Sequence, residues 1–253
     1  MKTYKLDDYP FPKFDLIFYL LNVYRNKKLK SFYKVFHKHI RRPWSRRVLH
    51  FHQPSGYGLE VGSGSWTIAP SNRTIFSDGF REHAGSQSLA KVFFDTAEIP
   101  YRDNVFSFIL SEHVLEHIYN PFPVLLEWKR VLKNGGKVFL FLPHADRTFD
   151  RDRKRTSLDE LNERVKGNEK KIKKKLLDDW LEKVIYKGFA NHYKSFSPES
   201  MIKYGLIHYN VWTPHEVIEL LVSTGFRVID SHAIVPDRKD SFLIICDTPS
   251  KSE

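Results

Sequence analysis

Residues 58–64 combine an apolar strand end, an acid and two glycines, and this pattern could hold a small ligand. Gly62 and Gly64 would let a ligand approach the backbone closely. Glu60, the acid before them, favours a ligand that carries positive charge, whereas the pyrophosphate of a dinucleotide would require the opposite sign. The dinucleotide pattern G-x-G-x-x-G is also incomplete, because Thr67 occupies its third glycine position. The segment therefore predicts a site for a cationic ligand.

Two further acids, Asp78 and Asp95, each end a predicted strand. A strand-end carboxylate can accept two hydrogen bonds from ribose hydroxyls, and Asp78 is placed for this role. Asp95 could accept from an adenine amino group, while Thr96 and Ala97 supply backbone groups. Taken singly, each acid is better explained as the cap of a following helix. In this order after the glycine pair, they favour S-adenosylmethionine, whose ammonium and sulfonium groups are positively charged.

The run from Gly58 to Leu142 resembles the class I S-adenosylmethionine-dependent methyltransferases. The matching pieces follow the order of the family: Glu60 to Gly64, Asp78, Phe94 to Tyr101, Ser111 to His117, and Leu132 to Gly136. The resemblance implies an enzyme with S-adenosylmethionine as its cofactor. The cofactor-binding residues that it implies are Glu60, Gly62, Ser63, Gly64, Asp78, Asp95, Thr96, Ala97 and Ser111.

Segments 144–153 and 208–214 look like a bacterial subgroup that typically accompanies polysaccharide biosynthesis, including that of O-antigen. This second resemblance implies O-methylation of a sugar in a glycan or a lipid-linked saccharide. Arg147, Arg151 and Arg153 could clamp a phosphate or carboxylate of the acceptor, since guanidinium groups suit such anions. They could equally pair with the acids between them and only hold the loop. The other acceptor-binding residues predicted are His117, His208 and Trp212.

A sugar hydroxyl is a poor nucleophile, and a base that takes its proton is worth ~10²–10⁴-fold in rate. His144 leaves the last parallel strand and has Asp146 nearby, so this pair is the first candidate for the base. An ordinary loop histidine explains His144 almost as well. His113, at the end of an earlier strand, is the second candidate.

The segment His113-Val-Leu-Glu116-His117 matches H-x-x-E-H, the inverted zinc-protease motif. Its context differs from that motif, because it directly follows an apolar strand and no third-ligand signature is evident. We therefore expect Glu116 and His117 to organise a helical turn beside the donor pocket, and the sequence predicts no metal ligand.

These residues require an alternation of strands and helices to position them. The pattern over 58–142 predicts parallel strands with covering helices, hence a doubly wound α/β architecture. Two strands over 227–235 and 241–246, joined by a turn over 236–240, are predicted to close the sheet edge as an antiparallel pair, which gives a seven-stranded mixed sheet. A basic helical extension is predicted over 1–50, before a methyltransferase domain over 51–250. Within that domain, the polar segment 144–208 after the fifth strand is predicted to be a helical insertion that forms an acceptor-side lid.

Composition limits the class and the surroundings of the protein. It has 41% hydrophobic and 28% charged residues, a net charge of +11, and no apolar run long enough to cross a bilayer. The lone Cys246 is expected to be a buried, inert thiol, so the expected location is the reducing cytoplasm. Basic residues over 25–47 indicate peripheral contact with an anionic inner-membrane surface. Nucleic acid is disfavoured as a partner, because the charge comes with no recognised binding motif.

Two rival functions remain open from the sequence. One is a non-catalytic binding partner that keeps the methyltransferase fold and docks through its basic N-terminus. The other is a methyltransferase that acts on a small molecule or on RNA.

Overall fold

The computed structural model describes residues 42–52, 55–70, 72–83 and 86–249, which build a seven-stranded sheet with helices packed on it. The strands are β1 (Gly58–Val61), β2 (Thr74–Asp78), β3 (Val92–Phe93), β4 (Phe106–Glu112), β5 (Leu132–Pro143), β6 (Arg227–His232) and β7 (Ser241–Asp247). Their spatial order is β3-β2-β1-β4-β5-β7-β6. β7 runs antiparallel to both neighbours, and the other pairs are parallel. The predicted seven-stranded mixed sheet is confirmed.

The α-helices of the described residues are α1 (Pro43–His52), α2 (Pro121–Val131), α3 (Leu158–Lys166), α4 (Glu169–Trp180), α5 (Pro198–Lys203) and α6 (Pro214–Ser223). Side-chain caps fix several of their starts. Asn120 Oδ1 accepts from the Phe122 amide at 3.2 Å at the start of α2, with Pro121 in the first helical position. Gly167 separates α3 from α4, so the charged stretch forms two helices.

Each face of the sheet has its own apolar layer, because successive strand side chains point to opposite faces. On one face α2 and α6 pack through Leu125, Trp128 and Leu220, all fully buried. On the other face α1 places Leu49 against a layer that includes Phe76 and Phe139. Cys246 is buried as predicted, and burial raises the pKa of its thiol.

Helices α3, α4 and α5 lie between β5 and β6, within the segment predicted as an insertion. They enclose a separate apolar cluster that includes Trp180, Val184, Met201 and Leu206. Residues 1–41 lie outside the described residues, so the predicted extension over 1–50 and the basic stretch over 25–47 are seen only from residue 42 onward. In the part of the chain that the structure describes, no helix is long and apolar enough to cross a bilayer.

The expected helices are missing from the first half of the sheet. No helix among the described residues connects β1 to β2, β2 to β3 or β3 to β4; these connections are turns and bends, with a short antiparallel ribbon of Glu82–His83 and Ser86–Gln87 between β2 and β3. The alternation of strand and helix is therefore incomplete here. The finding also removes the helix-cap explanation of Asp78 and Asp95, because no helix follows either acid.

Candidate functional site

The register of the sheet brings the ends of several strands to one edge. Val61 at the end of β1 pairs with Ser77 of β2 and with Ser111 of β4. The next residues along these strands are Gly62, Asp78 and Glu112. A cavity of about 1070 Å³ opens at this edge. The carboxyl edge of parallel strands is where open α/β sheets bind their ligands.

The cavity brings together many of the residues predicted from the sequence. Its lining includes Gly62, Ser63, Gly64, Asp78, Asp95, Thr96, Ala97, His113, His117, Arg147 and His208. The predicted site residues that do not line it are Glu60, Ser111, His144, Asp146, Arg151, Arg153 and Trp212.

The two glycines after β1 form an open turn at one end of the cavity. Gly62 has φ of +71°, and a Cβ there would lie 2.2 Å from Val114 Cγ2, so a larger residue would displace its neighbour. Gly64 has φ of +53°, and a Cβ there would meet no heavy atom of the described chain within 4 Å. The backbone at Gly64 thus borders empty space, as expected for a surface that a ligand approaches closely.

Asp78 holds this turn through its carboxylate. Oδ2 accepts from the Gly64 amide at 3.1 Å and from Ser88 Oγ at 2.7 Å, and Oδ1 accepts from the Phe80 amide at 3.2 Å. Each carboxylate oxygen can accept two hydrogen bonds, so Oδ1 keeps capacity for one more donor. Asp78 can therefore shape the glycine turn and still accept from a hydroxyl in the cavity.

Asp95 lies on a turn after β3, on the same cavity. Its Oδ1 accepts from the Ala97 amide at 2.8 Å, and among the described residues Oδ2 has no hydrogen-bond partner. The turn is fixed from behind by Trp128, whose Nε1 donates to Thr96 Oγ1 at 2.9 Å. The free oxygen suits a donor such as an amino group of a bound purine.

Glu60 and Ser111 do not lie where the sequence predicts. Glu60 is 2% exposed behind the glycine turn, and its Oε2 accepts from Thr67 Oγ1 rather than facing a ligand. Burial raises the pKa of Glu60 well above its ordinary value, although the Thr67 hydroxyl opposes this. Burial thus favours the neutral acid, so the structure corrects the expectation that Glu60 sets negative charge toward an ammonium group. Ser111 is fully buried within β4.

His113 follows β4 and lines the cavity. Its Nε2 lies 2.8 Å from Ser241 Oγ, and the Ser241 hydroxyl donates to Asp240 Oδ1 at 3.0 Å. Since a hydroxyl has one proton, Ser241 accepts from Nε2, and Nδ1 of His113 is left as the acceptor. Burial lowers the pKa of His113 well below its ordinary value, which favours the neutral imidazole.

The predicted base pair of His144 and Asp146 is not supported by the structure. Nδ1 of His144 accepts from the backbone amide of Asp146 at 3.2 Å, so the His144 side chain caps the following turn and does not form a dyad with the Asp146 carboxylate. Asp146 pairs with Arg155 at 3.0 Å on the surface. His144 directly follows the end of β5 at Pro143, and its ring packs edge-on against Phe242.

The predicted arginine clamp is likewise used within the protein. Arg147 lines the cavity, but its guanidinium donates to the backbone carbonyls of the 233–241 turn. Arg153 is buried between Asp150 and Asp179, at 2.8 Å from each. Arg151 stacks over the ring of Phe189. Of the two alternatives left open, these contacts favour arginines that hold the loop.

Trp212 belongs to the core rather than to an acceptor site. It is 2% exposed, and its Nε1 donates to the Thr156 carbonyl at 3.1 Å. His117 and His208 remain at the cavity, with ring centroids 4.6 Å apart. Glu116 lies between them and is 1% exposed, and burial raises its pKa to about 7 although His208 opposes this.

Sequence reasoning missed a charged group that lines the cavity. Arg238 and Asp240 come from the turn before β7 and line the cavity, where Arg238 donates to Glu112 Oε1. Arg42 also donates to Glu112 Oε1, at 2.7 Å, and it donates to Asp237 Oδ1 at 3.0 Å. The signal was the charged turn over 236–240, which was assigned only the role of joining two strands.

Comparison with known proteins identifies the domain. Residues 71–140, which run from the start of β2 into β5, match the family model described as Methyltransferase domain. Over 99 residues the chain is 35% identical to an uncharacterised protein of Methanocaldococcus jannaschii, a stretch covering 38% of this chain. The chain spans about half, 48%, of the length of that relative.

Two solved structures have the same fold. One is the methyltransferase chain bound to the Trm112 methyltransferase activator of Haloferax volcanii, with 13% identity, a TM-score of 0.52, and coverage of 87% of this chain and 93% of that chain. The other is 1,6-didemethyltoxoflavin-N1-methyltransferase of Burkholderia thailandensis with bound S-adenosylhomocysteine, with 13% identity, a TM-score of 0.50, and coverage of 99% and 100%. With the open glycine turn and the acids beside it, the chain contains an S-adenosylmethionine-dependent methyltransferase domain of the class I fold, and S-adenosylmethionine is its cofactor.

Proposed function

We propose that this domain transfers the methyl group of S-adenosylmethionine to a hydroxyl of a sugar, in a glycan or a lipid-linked saccharide. The observation that carries the proposal is the size and lining of the cavity. At about 1070 Å³ it exceeds the ~300–1,000 Å³ of ordinary ligand pockets, so it has room for a second molecule beside the cofactor. The lining also includes Tyr119, Lys173, His192 and Tyr193, and such a mixture of aromatic and polar groups suits a saccharide.

His113 is the proposed base. It lies on the cavity, and the hydrogen bonds of Ser241 leave Nδ1 as an acceptor, with Glu116 Oε1 3.5 Å away. Bound S-adenosylmethionine supplies a methyl group activated by its sulfonium. The acceptor oxygen forms the new bond to the methyl carbon, the carbon–sulfur bond breaks with its electron pair on sulfur, and the hydroxyl proton passes to Nδ1. The products are a methyl ether, S-adenosylhomocysteine and a protonated imidazole.

The resemblance of segments 144–153 and 208–214 to a subgroup that accompanies polysaccharide biosynthesis supports a saccharide acceptor. Arg238 and Lys173 also line the cavity, but Arg238 pairs with Glu112 and Lys173 pairs with Glu169 at 2.6 Å, so a phosphate of a lipid-linked or nucleotide-linked sugar would compete with these carboxylates. Peripheral contact with an anionic membrane through 25–47 stays a prediction, and it would bring the domain to lipid-linked acceptors.

Two measurements, made one after the other, test the proposal. Calorimetric titration of the purified chain with S-adenosylhomocysteine checks the donor site, and we expect one equivalent to bind. Methyl transfer from radiolabelled donor is then followed with three acceptor groups: lipid-linked and nucleotide-linked sugars, small heterocycles, and RNA. Label in the saccharide fraction as an alkali-stable ether supports the proposal. Label in heterocycles or RNA alone would overturn the acceptor class. Donor binding without transfer to any acceptor would favour the non-catalytic rival.

A further inference from the structure

The carboxyl group of Glu116 is buried without a hydrogen-bond partner. Glu116 is 1% exposed, and neither of its oxygens has a donor among the described residues. Imidazole nitrogens nevertheless surround Oε1: Nδ1 of His113 at 3.5 Å, Nε2 of His117 at 3.9 Å and Nε2 of His208 at 4.0 Å. These distances lie at or beyond the limit for a hydrogen bond. A buried carboxyl without partners is unfavourable, so this arrangement favours a further group, such as an ion, between the atoms.

The hydrogen bonds behind the two histidines set which nitrogen faces Glu116. Nδ1 of His117 lies 3.0 Å from the carbonyl oxygen of Ile207, and Nδ1 of His208 lies 2.6 Å from Asp150 Oδ2. Both partners can only accept, so each Nδ1 carries the proton. Each Nε2 therefore presents a lone pair toward Glu116. Metal-binding histidines are typically held in this way, by a carbonyl or carboxylate on the other nitrogen.

The spacing of the three groups fits a common ion. Their ligating atoms all lie within 4.8 Å of one another. A tetrahedral ion with bonds of ~2.0–2.2 Å separates its ligand atoms by about 3.3–3.6 Å. The Nε2 atoms of His117 and His208 lie 3.9 and 4.0 Å from Oε1, so a small inward shift of the side chains would complete the coordination.

We propose that Glu116, His117 and His208 bind a divalent transition-metal ion, with Zn²⁺ as the best match to two imidazoles and one carboxylate. Mg²⁺ and Ca²⁺ prefer oxygen donors, so this ligand set disfavours them. The proposal departs from the sequence-based expectation of no metal ligand. The H-x-x-E-H pattern supplies Glu116 and His117, and the third ligand comes from His208, at the end of segment 144–208.

Three protein ligands leave an ion with an open coordination position, as in catalytic zinc sites. His117 and His208 both line the cavity, so that position is accessible to an acceptor. A bound hydroxyl would lose its proton more readily beside the ion, which would assist transfer to His113. This role rests on the proposed function, whereas metal binding itself does not.

Metal binding is tested on the untagged full chain after treatment with a chelator. Titration with Co²⁺ is followed by its visible absorption, Zn²⁺ is then added in competition, and the bound metal is counted by mass spectrometry. We expect one equivalent, with Zn²⁺ displacing Co²⁺. Glu116→Gln and His208→Gln should each abolish the tight equivalent, and Asp150→Asn should weaken it by ~10–100-fold. His215→Gln, on the exposed side of α6, serves as the matched control and should bind as the wild type does.

Circular dichroism and S-adenosylhomocysteine binding show whether each variant is folded. If Glu116→Gln does not fold, the wild-type titration and His208→Gln still decide. Absence of a bound equivalent in the wild type overturns the proposal, as does tight binding that survives both substitutions. Failure to methylate saccharides, with metal still bound through Glu116 and His208, would overturn the acceptor assignment and leave the metal site intact.

Discussion

Nδ1 of His208 lies 2.6 Å from Oδ2 of Asp150, and both side chains are buried. The other oxygen of this carboxylate, Asp150 Oδ1, accepts a hydrogen bond from Arg153 Nη1 at 2.8 Å. Burial alone would raise the pKa of Asp150, but His208 and Arg153 outweigh it and hold the pKa below its ordinary value. Because Asp150 lies near the start of segment 144–208 and His208 at its end, this pair joins the two ends of the segment beside the cavity.

Asp150→Asn should destabilise the protein strongly. Breaking a buried ion pair typically costs ~3–5 kcal/mol, and we expect the lower end, about 3 kcal/mol, because Arg153 keeps its contact with Asp179. Urea unfolding measures the change. Asp152→Asn is the matched control, since Asp152 pairs with Lys187 on the surface, and its effect should be much smaller. Equal effects of the two substitutions would show that the Asp150 pair does not stabilise the fold.

Gly64→Ala should weaken cofactor binding more than it weakens the fold. Alanine at a positive φ costs roughly 1–2 kcal/mol, and its Cβ would enter the cavity space at the glycine turn. Gly135→Ala is a close control, because Gly135 has φ of +70° and open space but does not line the cavity. We expect similar losses of stability by thermal unfolding. Calorimetry should give at least a tenfold loss of S-adenosylhomocysteine affinity for Gly64→Ala alone, and equal affinities would contradict the assignment of the turn.

Asp95→Asn should lower the affinity for S-adenosylhomocysteine by roughly ten- to a hundredfold. Hydrogen bonds to a charged group contribute ~1.5–3 kcal/mol, and each 1.4 kcal/mol is about tenfold in affinity. Asp103→Asn removes another exposed loop carboxylate, one that pairs with Arg130 away from the cavity, and should leave the affinity unchanged. If both variants bind as the wild type does, Asp95 does not contact the cofactor.

His113→Gln should lower turnover by ~10²–10⁴-fold while donor affinity stays within a factor of a few. The side chain lies on the cavity and is the only candidate base of the two predicted histidines that does so. His144→Gln, outside the cavity, should retain turnover. The comparison uses single-turnover methyl transfer with saturating donor. Loss of turnover in His144→Gln alone would instead identify His144, the first candidate, as the base.

The sequence predicted the sheet and the placement of Asp78 and Asp95 at its carboxyl edge, because both depend on local patterns. The helix over 214–223 follows from a proline, a Thr213–Glu216 capping box and an apolar stripe. The placement of Asp78 and Asp95 follows from strand ends, since parallel strands bring their carboxyl ends to one edge. The helices expected after β2 and β3 are absent among the described residues, because turns suffice to connect these short strands.

The predictions for the acceptor end failed where a side chain's direction depends on distant partners. His144 and Trp212 lie in segments with the expected chemistry, yet one caps a turn and the other fills the core. Glu60 was assigned from its charge and from the family resemblance, but it is buried behind the glycine turn and does not face the cavity. Glu116 does lie in the predicted helical turn, Leu115–His117, but local sequence could not show that His208, remote in the chain, approaches its carboxyl group.

By itself the sequence determined the fold class and the cofactor, and it predicted the edge of the sheet for cofactor binding, since strand periodicity and the order of glycines and acids are encoded locally. Tertiary structure alone decided which polar side chains share the cavity. His208 reaches Glu116 across a separation of more than ninety residues, at 4.0 Å, because the helical segment between them folds back on the carboxyl edge of the sheet.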